Sequence, residues 1–126
     1  MFDAIGLTSG PTSGSIAMYA ITSALDGLAA RQRAIADNVA NINTPGFLAG
    51  KVQFEDALAS AVATGDTSGG PTWSIARSLE PTRTDGNNVN LDRETLLNVD
   101  TGLRYSLMLR AADHEFGVLR ASMRAV

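Results

Sequence analysis

Apolar residues recur at Met18, Ile21, Leu25, Leu28, Ile35, Val39 and Ile42, with Gln32 in the one interrupted slot. The steps alternate three and four, which predicts an amphipathic helix whose apolar stripe faces another helix along its whole length. The element is expected over residues 15–43, roughly 40 Å long at about 1.5 Å per residue, with Ser13 or Ser15 placed to cap it. Its Ala, Leu, Arg and Gln content favours helix on propensity alone. The end is sharp: Pro45 has no amide donor and pushes Thr44 out of the α region, and Gly46 can take backbone angles closed to other residues.

A second long helix is expected over residues 90–126. Asn90 or Asp92 can cap it, and Asp92 and Glu94 suit its positive end. A cap at Asp92 would place Leu91 and Leu96 for a hydrophobic staple. One apolar stripe is Tyr105, Leu109, Ala112, Phe116, Leu119 and Met123; a second is Leu96, Val99, Leu103, Leu107, Ala111 and Val118. Two stripes call for two packing neighbours. The first helix can cover one of them, so the other implies a partner chain or a buried position in a bundle.

Between the helices, residues 44–89 read as a turn, a short helix and a loop-rich segment. Phe54, Leu58 and Val62 share one helical face. Gly65 to Pro71 has linker composition, Trp73 to Glu80 suits a short strand, and Pro81 to Asn88 is rich in turn residues. Residues 1–14 read as a flexible leader, because Thr8 to Gly14 is a cluster of helix breakers. The expected fold is mainly α, with two long terminal helices packed antiparallel in the manner of a coiled coil. The two helices form one helical domain, and the middle region holds a short helix with scope for a short strand.

Composition narrows the functions. At 126 residues the chain is one domain's worth. Charged residues make up 18%, below the usual quarter; either other subunits cover part of the surface, or small Ala, Ser and Thr residues take the place of charges. A net charge of −3, with Lys51 the single lysine, argues against nucleic-acid binding, which needs clustered Lys and Arg. The absence of cysteine excludes a disulfide framework and thiolate metal sites. Met1 to Gly6 lacks the basic flank and apolar run of a secretory signal, and no stretch approaches the roughly 20 apolar residues of a membrane span. The expectation is a chain without a membrane span, cytoplasmic or exported without a cleaved signal.

Candidate chemistry is sparse. Asp85 to Leu96 superficially resembles a calcium loop, but its sixth position is Asn90 where glycine is needed and its twelfth is Leu96 where glutamate is needed. His114 has no second histidine at helical spacing and no identifiable nucleophile. No catalytic, cofactor or metal site is therefore expected. Asn38 and Asn41 are open to two readings: contacts between subunits, or satisfaction of loose carbonyls at the helix end. Gln32 either sets the register of the seam or lies at its edge. Trp73 either anchors a partner or covers a local cluster.

The segment Asn38-Val39-Ala40-Asn41-Ile42-Asn43-Thr44-Pro45-Gly46-Phe47 resembles the N-terminal signature of the bacterial flagellar axial family, the rod, hook and hook-associated proteins. Thr84 to Glu94, followed by Leu103-Arg104-Tyr105, is similar to the corresponding segment of a proximal-rod subunit. The resemblance covers about residues 20–60 and 82–124. It implies a non-enzymatic subunit of the basal-body rod that polymerises through its terminal helices, links the membrane ring to the rest of the rod and transmits torque. The implied partners are other rod subunits, the adaptor between ring and rod, and the flagellar type III export apparatus. The implied assembly motif is Asn38, Asn41, Thr44, Pro45, Gly46 and Phe47. The helix-packing seam comprises Ile21, Leu25, Leu28, Ile35, Val39 and Ile42 with Leu96, Leu103, Tyr105, Leu107, Leu109, Phe116, Leu119 and Met123. Leu48 departs from the family pattern, which commonly has a basic residue there, and the leader is longer than usual. The alternative reading is a small cytoplasmic helical adaptor or export chaperone.

Overall fold

The computed structural model describes residues 13–70 and 72–125. Their elements are α1 (Ser13–Ala40), β1 (Gly50–Gln53), α2 (Glu55–Thr64), β2 (Ser74–Arg77) and α3 (Leu91–Arg124). The fold is mainly α, and its two long terminal helices pack together. They run antiparallel. Near one end Asn38 of α1 donates to Glu94 in the first turn of α3, at 3.1 Å; at the other, Gly14 and Met18 of α1 share a cleft with Glu115 and Leu119. Of the leader expected over residues 1–14, the first twelve lie outside the described residues.

α1 is the central element, with α3 on one side and β1 and α2 on another. Ala24, Leu28 and Ala30 form its core with Val52 and Phe54, against which Tyr105 and Met108 of α3 pack. Phe54 lies directly over Gly27: a Cβ there would sit 2.4 Å from the ring. One turn along α1, the Arg31 guanidinium lies over the same ring, 4.9 Å from its centroid, and donates to the Val52 carbonyl at 3.1 Å. Of the expected seam on α1, Ile21, Leu28 and Ile35 are buried, Leu25 and Ile42 half-buried and Val39 exposed. Gln32 is half-buried at the seam's edge.

The face of α3 turned toward α1 differs from the expectation. It follows Glu94, Leu97, Thr101, Tyr105, Met108, Ala112 and Glu115, a strip of buried and half-buried residues stepping three or four. Only Tyr105 and Ala112 of the first expected stripe belong to it. Leu109, Phe116, Leu119 and Met123 stay exposed, as do Leu96, Val99, Leu103, Leu107 and Val118 of the second. α1 thus covers neither stripe as a whole. The physical reason is polar: Asn38 draws Glu94 against α1, and helical steps from Glu94 bring Leu97, Thr101 and Tyr105 to the same side. The cap of α3 is Asn90, whose backbone is extended and whose side chain accepts from the Arg93 amide at 3.1 Å. Asp92 is already inside the helix, so the staple of Leu91 with Leu96 does not form, and both are exposed.

In the middle region α2 runs two residues past Val62, the last residue of the expected face, and Gly65 ends it in the left-handed conformation at φ 70. Leu58 is half-buried on its inner face, and Val62 is exposed. β2 falls inside the segment expected to form a strand. Its antiparallel partner β1, with Val52 opposite Ile75, was not expected, because Gly50-Lys51-Val52-Gln53 is too short and mixed to carry a period. Trp73 is exposed and is not part of the buried core cluster.

The packing of Phe54 on α1 generates a contrast between two glycines. Gly27→Ala forces the ring or the helix to move and should cost about 1–3 kcal/mol of stability. Gly102→Ala on α3 meets nothing within 4 Å and should stabilise by about 0.5–1 kcal/mol through helix propensity. Urea denaturation of both variants checks the pair of signs.

Candidate assembly interface

The two segments that carry the family resemblance meet in space. After α1, Thr44-Pro45-Gly46-Phe47 makes a tight turn, with the Phe47 amide donating to the Thr44 carbonyl at 3.2 Å. Gly46 supplies the positive φ of 74 that the third turn position demands. Arg83 to Gly86 forms a second turn, closed by the Gly86 amide on the Arg83 carbonyl at 2.9 Å, with Gly86 at φ 80. The turns pack back to back: the Gly46 amide donates to the Asp85 carbonyl at 2.8 Å, and a Cβ on Gly86 would lie 3.3 Å from the Gly46 Cα.

Three buried asparagines fasten this corner. Asn87 donates to the carbonyls of Asn41 and Thr44 at 2.8 and 2.9 Å, and its oxygen accepts from the Val89 amide at 2.8 Å. Asn88 accepts from the Ala49 amide at 2.7 Å and donates to the carbonyls of Ser78 and Glu80. Asn38, 2% exposed, accepts from the Gly50 amide at 2.8 Å and donates to the Gly50 carbonyl at 2.9 Å and to Glu94. Its side chain pairs with Gly50 as a neighbouring strand would, and both of its amide donors are occupied inside the chain. Asn41 donates to the Asp37 carbonyl at 2.8 Å and accepts from Thr44 Oγ1 at 3.1 Å, which satisfies the end of α1. Arg83 completes the corner by donating to the carbonyls of Ile42 and Val89. Thr44, Pro45 and Gly46 face outward, and Phe47 is half-buried with the Arg77 guanidinium 5.7 Å from its ring.

Beside the corner, Glu80 accepts from Lys51 at 3.0 Å and from Arg93, joining β1 to the start of α3. The hydrogen bond from Lys51, aided by Arg93, holds the Glu80 carboxyl below its ordinary range. Burial pushes the Glu55 carboxyl up, but the hydrogen bond from Arg31 and two from backbone amides outweigh it and leave it below its ordinary value.

What remains uncovered is one-sided. Leu96, Val99, Leu103, Leu107 and Val118 line the side of α3 turned away from α1, with Leu96 at 72% and Leu103 at 68% exposure. Leu109, Phe116, Leu119 and Met123 continue an apolar band along the flank of the seam. So many large apolar side chains on one helix exceed what a lone soluble domain usually shows. Among the described residues no group of three or more His, Cys, Asp or Glu is placed to hold a metal, and no helix is long and apolar enough to cross a membrane. The residues Asp85 to Asn90 serve as turn and helix cap: the Asp85 carboxylate accepts from the Asn87 amide at 3.0 Å.

Sequence reasoning singled out Asn38 and Asn41 but passed over Arg83, Asn87, Asn88 and Glu94 as connected parts. A signal was present in Asn87-Asn88-Val89. Two amides beside a small apolar residue, after a Gly turn, suit a buried hydrogen-bonded corner as well as an exposed loop.

Two outcomes follow from the corner. Asn38→Ala leaves the Gly50 amide and carbonyl without partners and should cost at least about 2 kcal/mol, whereas Asn43→Ala in the exposed turn should change stability by less than about 0.5 kcal/mol; chemical denaturation compares them. For pH the sign is that of depressed carboxylates. The stability from Glu55 and Glu80 is complete above the unfolded value of about 4.3 and is lost as pH falls through their lower folded values. Thermal midpoints should therefore drop below about pH 4.3, and a Glu55→Gln, Glu80→Gln double variant should show a shallower drop.

The family described as flagella basal body rod protein matches residues 18–47, most of α1 and its closing turn. The flagellar basal body rod protein FlgB of Borrelia hermsii is 32% identical, over 73% of this chain and 84% of its own length. That of Borreliella burgdorferi is 33% identical over the same shares. On that similarity the chain belongs to the flagellar basal body rod protein family of FlgB.

Proposed function

We propose that this chain is a structural subunit of the proximal rod of the bacterial flagellum, polymerising through its terminal helices. The observation that carries the reading is the apolar side of α3 left uncovered in the single chain. A helix with large apolar side chains on the side away from its only long partner gains most of its stability when a neighbour buries them. Family membership supplies the setting: the partners are other rod subunits and the adaptor at the membrane ring. Residues 15–43 and 90–126 act as one assembling helical domain, and residues 44–89 brace it at the corner. The exposed Thr44-Pro45-Gly46 edge is the part of the signature available to a neighbour, since Asn38 is enclosed. Export proceeds through the flagellar type III apparatus. Torque passes through many lengthwise helix contacts, and no catalysis is involved.

Deleting the gene should abolish motility and rod assembly; a deletion strain that swims normally overturns the reading. Substitutions separate folding from assembly. Leu103→Asp lies on the uncovered side and should leave the purified chain's stability within about 0.5 kcal/mol while eliminating motility. Leu28→Asp places a charge in the core and should unfold the chain, at a cost of several kcal/mol. Recovery of the chain as a discrete cytosolic dimer, absent from isolated basal bodies, would favour the adaptor reading instead.

A further inference from the structure

The small sheet stops one strand short. β1 pairs with β2 on one side, and on the other the Asn38 side chain takes the amide and carbonyl of Gly50. β2 has only β1 beside it among the described residues. Residues along an antiparallel strand alternate between bonding to the partner and pointing away from it. The Ser78 amide donates to the Ala49 carbonyl at 2.8 Å, so Ala76 also faces β1, and the amides and carbonyls of Ile75 and Arg77 point outward. No described residue bonds to any of these outward groups.

The side chains show the same gap. Val52 and Ile75 lie opposite each other and share a face of the sheet. Val52 is 5% exposed, whereas Ile75 is 55% and Trp73 41% exposed. The inner face is covered at β1 and bare at β2. Free backbone groups beside bare apolar side chains, with no proline in Ser74–Arg77, make this edge a template for another strand.

A matching segment lies in the chain itself. Residues 1–12 fall outside the described residues; they include Asp3-Ala4-Ile5-Gly6-Leu7, with Asp3 their one charged side chain. Tyr19 donates to the Gly69 carbonyl at 3.2 Å, and Tyr19, Ser23 and Thr72 line one cleft. The entry to β2 therefore lies about 9–15 Å along α1 from Ser13, at about 1.5 Å per residue. Extended chain from Leu7 to Ser13 reaches about 20 Å, enough to span that distance. From there β2 runs toward the Asn38 end of α1, where Arg77 lies opposite Gly50. Chain traced back from Ser13 thus meets Trp73 first and Arg77 last, which makes it antiparallel to β2. With Asp3 opposite Arg77, Ile5 falls opposite Ile75 and Leu7 opposite Trp73, so charge and apolar positions match together. Arg77 makes no ion pair among the described residues. Its Nη1 donates to the Leu48 carbonyl at 3.1 Å, and its other nitrogens are left for a carboxylate.

We infer that Asp3 to Leu7 of the same chain adds to the free edge of β2 as a third, antiparallel strand, with Asp3 paired to Arg77. The contact is made within one subunit and does not depend on the rod reading.

The natural chain has no cysteine, so disulfide trapping is clean. Ala4 and exposed Ala76 would form a non-hydrogen-bonded pair with Cα atoms about 4.5 Å apart, within disulfide range. Purified full-length chain carrying Ala4→Cys and Ala76→Cys is oxidised mildly at low concentration. The strand requires a monomer with an internal disulfide, formed about tenfold faster than with Gly6→Cys in place of Ala4→Cys, which is off register. Asp3→Arg should slow it about fivefold, and Asp3→Arg with Arg77→Asp should restore it. Amide exchange reads the unaltered chain: the Ile75 and Arg77 amides should be protected, and Ile5→Pro should speed their exchange about tenfold without changing that of Ala76, which faces β1. Free exchange of Ile75 and Arg77 in the unaltered chain, or equal disulfide rates in the two registers, overturns the strand. Failure of the double charge exchange to restore the rate overturns the ion pair. Disulfides that form only between copies overturn the assignment to the same chain. Every readout is made on purified chain, so a deletion strain that swims normally overturns the rod reading and leaves this one standing.

Discussion

The rest of the structure depends on the side chain of Asn38. Enclosed near the end of α1, it binds both backbone groups of Gly50 and one oxygen of Glu94. One amide thereby fixes the start of β1 against α1 and sets the rotation of α3 about its own axis. Hydrophobic burial alone would not choose that rotation, because α3 offers apolar residues around most of its circumference. A directional hydrogen bond in a low-dielectric interior does choose, since leaving any of its members unpaired is expensive.

The consequence of that choice is a chain that folds without satisfying itself. α3 turns a strip containing Glu94, Thr101 and Glu115 toward α1 and leaves larger apolar residues outside. A monomer built for solution would do the reverse. The corner of Asn87, Asn88 and Arg83 then holds the two helix ends in one geometry, and the exposed surfaces are presented in a fixed relation. Rigid presentation of uncovered apolar surface is what a polymer subunit requires, since neighbours must find the same contacts at each step.

Much of this was legible in the residues. The alternation of Ile21, Leu25, Leu28 and Ile35 located α1, and Pro45-Gly46 located its end within a few positions. Both helices, their antiparallel packing and the short helix after the turn followed from period and punctuation. The seam on α3 did not follow, because period identifies apolar stripes without saying which of them a polar lock will turn inward. β1 was also invisible: four residues with one large apolar side chain carry no pattern, and their strand character comes from Asn38 and the partner strand. For the site, Asn38 and Asn41 were marked by the signature, but Asn87 and Asn88 read as turn residues because the partners that tie them to α1 and its turn, Asn41, Thr44 and Ala49, lie more than 30 positions away.

The account's central claim is that a polar lock folds the chain while leaving one side of α3 for neighbours. Thiol labelling of introduced cysteines measures this most directly, in purified chain and in isolated basal bodies. Leu103→Cys should react rapidly in the purified chain and be protected in basal bodies, and a cysteine replacing Thr101 on the inner strip should be protected in both. Equal reactivity of the Leu103 position in the two states, or protection of it in the lone chain, would contradict the account.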